Sequence, residues 1–234
     1  MLKKVFGLMI CLLAVALLQP TQIFAATGVI LNSPDKDVKL VFPQSTSYKT
    51  KIVTVKDNGG ANLQKAIEER LGSKLDPVFD AVDVPHIFYT VNKGNEVIGY
   101  IHGIDQKDAY GGMQVFLALD PAGKIVDLYY QKISSTEARL FTDKAFAKQF
   151  KGITLKDFYY SDSMKGMSCC EGGSVDKIKD PSKKDHAEFS AIMRSVKLNL
   201  ILSDKLVLNN KYESSYKGKK DTKDTKDMKG MKGM

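Results

Sequence analysis

The sequence predicts an α+β fold, in which helices cover a curved and mostly antiparallel β-sheet. Two pairs of strand-forming runs, each joined by a short turn, indicate the sheet, because consecutive strands joined by tight turns pair antiparallel. A long amphipathic run near the C-terminus indicates a helix whose apolar face covers this sheet. Roughly 180 residues lie between the N-terminal signal and the C-terminal tail, enough for one domain with an extension.

Residues 1–26 have the pattern of a cleavable secretory signal. Lys3 and Lys4 precede an apolar run over residues 5–18, and two alanines close the segment, which is the usual order in such signals. The apolar run is shorter than the roughly 20 residues that span a bilayer. We therefore expect an extracytoplasmic protein, either periplasmic or secreted.

Residues 27–87 are expected to form an N-terminal extension, mostly extended, with one short helix. Short apolar alternations at residues 38–42 and 52–55 favour extended chain. Apolar residues then recur at helical spacing from Leu63 to Leu71, and Gly72 follows as a stop signal. This stretch should be an amphipathic helix.

The predicted sheet begins with two hairpins. The first is centred on a turn at residues 92–95, and the second on Asp120-Pro-Ala-Gly123, whose composition is typical of a β-turn. The four strands are expected over residues 86–91, 97–101, 113–119 and 125–130.

Two further helices follow the sheet. One should begin at Asp143, a good N-cap, bury Phe146 and Phe150, and end before Gly152. The other should open at Asp185, with Glu188 completing a capping box. Its predicted apolar face consists of Phe189, Ile192, Met193, Val196 and Leu200.

Residues 209–234 are expected to be a disordered, Lys/Met-rich tail. Beyond Asn210 we predict no core-forming residues, and short repeats with a period of three fill the end of the chain. The tail holds eight lysines and four acids, half of the chain's net charge of +8. Because the folded part is nearly neutral, no nucleic-acid groove is expected. The basic tail is expected either to aid solubility or to associate peripherally with an anionic membrane surface.

A family resemblance begins at Tyr110-Gly111-Gly112. A strand, the turn at residues 120–123 and a second strand ending in Ser134-Ser-Thr-Glu137 follow, and then the segment 146–152. This order resembles the FMN-binding domain of the flavin subunits of the Rnf complex and of the sodium-pumping NADH:quinone reductase. The similarity covers roughly residues 88–202, and we assign residues 88–208 to the domain.

The resemblance implies an FMN site at the start of the last helix. Family members often hold FMN through a phosphoester to the hydroxyl of a Ser-Gly-Ala-Thr motif there. With Arg194 and Val196 on the matching helical positions, Ser190 takes the place of the acceptor, and Glu188 and Phe189 replace Gly and Ala. A side chain in place of Gly blocks the close approach of a phosphate, and the carboxylate repels it. A covalent link at Ser190 is therefore disfavoured, whereas non-covalent flavin, or a fold without flavin, stays open.

The implied function is extracytoplasmic electron transfer with a redox partner protein or a membrane electron-transfer complex. An isoalloxazine ring requires an apolar slot with a few polar groups, for which the candidates are Tyr110, Tyr129, Tyr130 and Phe141. The alternative is that these aromatic side chains belong to the core. The candidate FMN-binding residues are Tyr110, Gly111, Gly112, Ser135, Thr136, Glu137 and Ser190.

A soft-metal site is the competing hypothesis. Met164, Met167, Cys169 and Cys170 lie within seven residues, and thioether and thiolate ligands select Cu(I). Three tail methionines repeat the same spacing. The adjacent cysteines could instead form a strained disulfide, or the loop could have no metal role. The prediction is a copper site in this loop, and the third alternative is a cofactor-free interaction module.

The remaining chemistry-bearing residues form no recognisable pattern. His86, His102 and His186 are scattered without metal-ligand spacing, and we expect them to be surface or capping residues. No hydrolase or phosphate-loop motif is present in the sequence.

Overall fold

The fold is described by a computed structural model that covers four stretches of the chain. Several sequence predictions fall outside these stretches: the signal segment, Tyr110, the Met/Cys loop, Asp185 and the Lys/Met repeats of the tail. They stay predictions. The described residues are 28–107, 111–159, 174–184 and 186–217.

The centre of the fold is a five-stranded antiparallel sheet with the strands in chain order. The α+β class is confirmed, and so are the four predicted strands. The additional strand, β1, comes from the predicted extension and pairs with β2 at one edge. The domain boundary expected between residues 87 and 88 falls inside β2. The strands are β1 Ser47–Val53, β2 His86–Lys93, β3 Glu96–Gln106, β4 Met113–Leu119 and β5 Ile125–Lys132.

Six helices with full bounds pack around this sheet, and residues 213–217 are also helical in the described part of the chain. The predicted second and last helices are present, and Asp143 caps one of them by accepting from the Ala145 amide at 2.6 Å. Among the described residues, no helix is both long and apolar enough to cross a membrane. The helices are α1 Pro34–Val41, α2 Gly60–Leu71, α3 Ala138–Phe141, α4 Lys144–Lys148, α5 Leu155–Tyr159 and α6 His186–Leu206, with a 3₁₀ turn at Ser174–Lys177.

Helix α1 corrects the expectation of extended chain at residues 38–42. Pro34 occupies the first turn, and the Asp37 carboxylate accepts from the Ser33 amide at 3.0 Å. Both features favour a helix start. Val38 and Phe42 then lie on one buried face, four residues apart. The apolar residues in the 38–42 segment therefore follow the period of a helix and not that of a strand.

The two faces of the sheet are covered by different parts of the chain. Helix α6 packs across β3 and β4, and Ile192, Val196 and Leu200 are buried there, as predicted. On the opposite face, residues 29–42 cover strands β2, β3 and β4. The N-terminal segment is therefore an integral layer of the fold.

The C-terminal segment also packs on the body as far as residue 217. Tyr212 and Tyr216 pack against the core, and the Tyr212 hydroxyl donates to the Ala122 carbonyl at 2.7 Å. The prediction that no core-forming residue follows Asn210 is therefore wrong for residues 211–217. The prediction failed because the tail is polar on average, although Tyr212 and Tyr216 are aromatic and pack on the core.

Candidate functional site

Most of the predicted FMN-binding residues meet at one end of the sheet. There the Ser134 hydroxyl donates to the Gly112 carbonyl at 3.0 Å. The Glu137 carboxylate accepts from the amides of Lys183, at 3.2 Å, and Lys184, at 3.5 Å, directly before α6. We call this end of the sheet the corner: Gly111–Gly112, Ser134–Glu137 and the first turns of α6.

The two glycines of the corner differ in exposure. Gly111 has a φ of +140°, a conformation that favours glycine. A Cβ atom on Gly112 would come no closer than 3.6 Å to Phe79. That distance is an ordinary van der Waals contact, so Gly112 is partly covered, whereas Gly111 is exposed.

In the Ser135–Glu137 segment, two side chains make hydrogen bonds within the protein and one is exposed. Ser135 is buried, and its hydroxyl accepts from the Glu137 amide at 3.1 Å. Glu137 ties the segment to the chain before α6, while the side chain of Thr136 is exposed. Of these three side chains, that of Thr136 is the one best placed to contact a ligand.

Ser190 lies on the exposed surface of α6. Its hydroxyl donates to the His186 carbonyl at 3.1 Å, one helical turn earlier. Since Ser190 is beyond the first four residues of the helix, its amide is part of the helical hydrogen-bond ladder. Only the side chain can contact a ligand, and the amide does not offer the phosphate-binding geometry of a helix start.

Tyr130 places an unsatisfied hydroxyl beside the start of α6. Within the described residues, this buried hydroxyl has no hydrogen-bond partner. Burial, and then the charge of the nearby Glu188, raise the pKa of Tyr130. A buried hydroxyl without a partner costs about 1–3 kcal/mol, so a ligand acceptor within its reach would be stabilised.

The predicted aromatic slot does not form from the described residues. Tyr129 and Tyr130 are neighbours on β5, and successive strand residues point to opposite faces. Tyr129 stacks on Phe116 at 5.2 Å beneath the N-terminal layer, whereas Phe141 is fully buried next to Phe146. The slot prediction is wrong for these three side chains. The period of the strand points the two tyrosines to opposite faces, and Phe141 belongs to the core.

Arg194 anchors the corner, a role that sequence reasoning missed. One guanidinium nitrogen donates to Gln106 Oε1 at 2.7 Å, and the other donates to Asp80 Oδ2 at 2.7 Å and to the Lys74 carbonyl. The side chain thus joins α6 to the end of β3 and to the loop before β2. The partners are far away in sequence, so no local signal reveals the contact.

The exposed His186 forms a small polar cluster at the start of α6. Its Nδ1 lies 2.5 Å from Asp180 Oδ2 and 3.1 Å from the Ser182 hydroxyl. A Ser-His-Asp triad requires the serine and the aspartate on different ring nitrogens. The cluster is therefore not a catalytic triad. The expectation that His186 is a surface residue is confirmed.

The other two histidines are buried, contrary to expectation. His86 and His102 are 7% and 1% exposed, and both side chains lie on the sheet face that α6 covers. Their burial is consistent with the apolar residues that flank them along the strands, but the sequence does not show that the two histidines lie side by side. Among the described residues, no group of three or more His, Cys, Asp or Glu side chains is arranged to hold a metal ion.

Comparisons with known proteins add no assignment. No protein-family model matches this chain, and no curated protein matches it either.

The described residues fit a non-covalently bound FMN in part. The polar portion of such a ligand suits the exposed Gly111 backbone, the Thr136 and Ser190 hydroxyls and the unsatisfied Tyr130 hydroxyl. The local environment of Ser190 does not suit a phosphoester. The three predicted slot aromatics that are described do not seat the ring.

Proposed function

We propose that this chain is an extracytoplasmic electron-transfer protein that binds FMN non-covalently at the corner. One observation carries the proposal: segments far apart in sequence, which follow the order of the FMN-binding domain, lie together in the fold. Ser134 contacts Gly112, and Glu137 contacts the chain before α6. These contacts bring the matching segments to one end of the sheet.

Each group at the corner has a distinct role in this proposal. The exposed backbone of Gly111 faces the ligand, and Thr136 donates a hydroxyl hydrogen bond. The Ser190 hydroxyl, which donates to the His186 carbonyl, offers its oxygen as an acceptor. Tyr130 offers a buried donor. When bound, FMN supplies one- or two-electron exchange, and the protein sets its potential through contacts to the ring. Electrons would pass between a redox partner protein, or a membrane complex, and an external acceptor.

The visible spectrum of the full chain purified after native export tests the mode of binding. We expect flavin bands that leave the protein on denaturation, because the site of Ser190 lacks the open backbone a phosphoester requires. Ser190→Ala should accordingly retain the flavin of the native protein. Bands that stay with the denatured wild-type chain and disappear in Ser190→Ala would contradict non-covalent binding. A protein without flavin, even after saturation with FMN, would contradict the proposal itself.

A matched pair of tyrosine variants tests the location of the site. Tyr130→Phe should weaken FMN binding about five-fold, the usual value of one hydrogen bond, in a fluorescence titration. Tyr129→Phe is the control, because its hydroxyl is also buried without a partner in the described structure but lies on the opposite face. Equal affinities for the two variants would place the flavin elsewhere.

A cofactor-free interaction module is the second candidate function. The Glu137 carboxylate accepts from the amides of Lys183 and Lys184, which a phosphate would otherwise contact. Because the Glu137 carboxylate already accepts from these amides, the corner needs no bound phosphate to satisfy them. This favours a protein that folds and acts without a cofactor. Failure of the purified protein to take up FMN, with its fold intact by circular dichroism, would favour this candidate over the flavoprotein.

A further inference from the structure

Two buried histidines face each other beneath α6. The ring centroids of His86, on β2, and His102, on β3, are 5.4 Å apart at an interplanar angle of 63°. Phe88 stacks on the His102 ring at 4.0 Å. The His102 imidazole therefore has two aromatic neighbours and is almost fully buried.

Asn199 of α6 holds His102 at two points. His102 Nδ1 lies 2.9 Å from Asn199 Oδ1, and the Asn199 amide nitrogen donates to the His102 carbonyl at 3.0 Å. Because Oδ1 only accepts, Nδ1 carries the proton and Nε2 keeps its lone pair. In the described part of the chain, that Nε2 is buried without a hydrogen-bond partner. We call His86, His102 and Asn199 the clasp.

Within the described structure, His102 has no acceptor for a second ring proton. A proton on His102 Nε2 would create a buried cation whose new N–H has no acceptor, which is strongly unfavourable. His86 borders a cavity of about 10 Å³, which Asp80 and Asp105 also line. That volume corresponds to about one water molecule, and the Asp80 carboxylate is paired with Arg194. His102 does not line this cavity, so hydration of a protonated His102 requires that α6 separate from the sheet.

We propose that the clasp is an acid-sensitive contact between the sheet and α6. When either imidazole takes up a proton, the contact breaks and α6 separates from the sheet. The clasp does not depend on flavin binding. Since α6 also carries Ser190, opening the clasp dismantles the corner. Acid thus acts through two side chains on the packing of α6, the longest of the described helices.

The electrostatics of the cluster agree with this role. Burial lowers the pKa of His86 to about 4, and burial together with His86 lowers the pKa of His102 to about 3. The unfolded chain binds these protons near pH 6.5, so stability is complete above pH 6.5 and declines as pH falls toward the folded pKa values. Burial raises the pKa of Asp80 and Asp105, and protonation of these two carboxyls has the opposite effect on stability.

Urea unfolding of the full chain at pH 8 and pH 5, followed by circular dichroism, tests the clasp. Each buried imidazole should raise the unfolding equilibrium constant about 30-fold at pH 5, so the wild type should show about a thousand-fold rise. His86→Phe should leave about 30-fold. His186→Gln, which removes the exposed histidine, should keep the thousand-fold rise. A wild-type rise below about ten-fold, or an equal rise in His86→Phe, would overturn the proposal.

An NMR titration of the wild type covers the case in which His86→Phe does not fold. The chain has three histidines, and two imidazole signals should stay unchanged between pH 8 and pH 5 in the folded protein. Titration of all three signals in that range would overturn the proposal.

Discussion

Replacement of Arg70 by methionine should lower the free energy of unfolding by about 3–5 kcal/mol, the usual cost of breaking a buried ion pair. Arg70 is buried, and its guanidinium donates to Asp204 Oδ2 at 2.6 Å. Asp204 is fully buried and also accepts from the Tyr212 amide at 3.0 Å. A second guanidinium nitrogen contacts Glu213. The variant leaves the Asp204 carboxylate buried without its cation and loosens the C-terminal segment.

Lys74→Met is the matched control for this prediction. Lys74 pairs with Glu68 at 2.6 Å near the end of the same helix, but its side chain is 88% exposed, and exposed pairs contribute little. Its unfolding midpoint in urea should match that of the wild type. Adding Asp204→Leu to Arg70→Met should restore much of the lost stability, since the uncompensated charge is removed. Equal midpoints for Arg70→Met and Lys74→Met would contradict a buried pair.

Replacement of Phe42 by alanine should lower the free energy of unfolding by about 3–5 kcal/mol, the usual cost of a phenylalanine cavity. Phe42 is 3% exposed, and its ring occupies the space where a side chain on Gly99 of β3 would stand. The loss would separate the N-terminal layer from the sheet. Urea unfolding measures the effect.

Leu40→Ala is the control for the N-terminal layer. Leu40 lies on α1, two residues before Phe42, and is 82% exposed. Its truncation creates no cavity, so stability should be nearly unchanged. A Phe42→Ala variant as stable as Leu40→Ala would mean that the N-terminal segment does not cover the sheet.

Local signals predicted most of the regular structure. The four strands followed from alternating runs and turn residues, and α2 and α6 from helical spacing. Strand β1 was harder because it is an edge strand with mostly exposed residues, so neither face shows a continuous apolar pattern. Its place depends on pairing with β2. Helix α1 begins with Pro34 and Asp35, which are favourable residues at a helix start. The apolar residues at 38–42 are nevertheless compatible with a strand as well as with a helix.

Contacts between distant segments explain what the sequence did not predict at the site. The separation of Tyr129 from Tyr130 follows from the strand period alone and was predictable. The pairing of His86 with His102 depends on the register Phe88↔His102, which a bulge at Val91 and Asn92 shifts. The partners of Arg194 and Asp204 depend equally on the packing of α6. Such contacts require the assembled sheet.

A fluorescence titration of FMN with the purified, folded full chain, with riboflavin as the comparison ligand, tests non-covalent flavin binding. We expect saturable binding of one FMN per chain, weaker binding of riboflavin because it lacks the phosphate, and complete release of the flavin on denaturation. No saturable change in FMN fluorescence, for a protein that is folded by circular dichroism, would contradict this expectation.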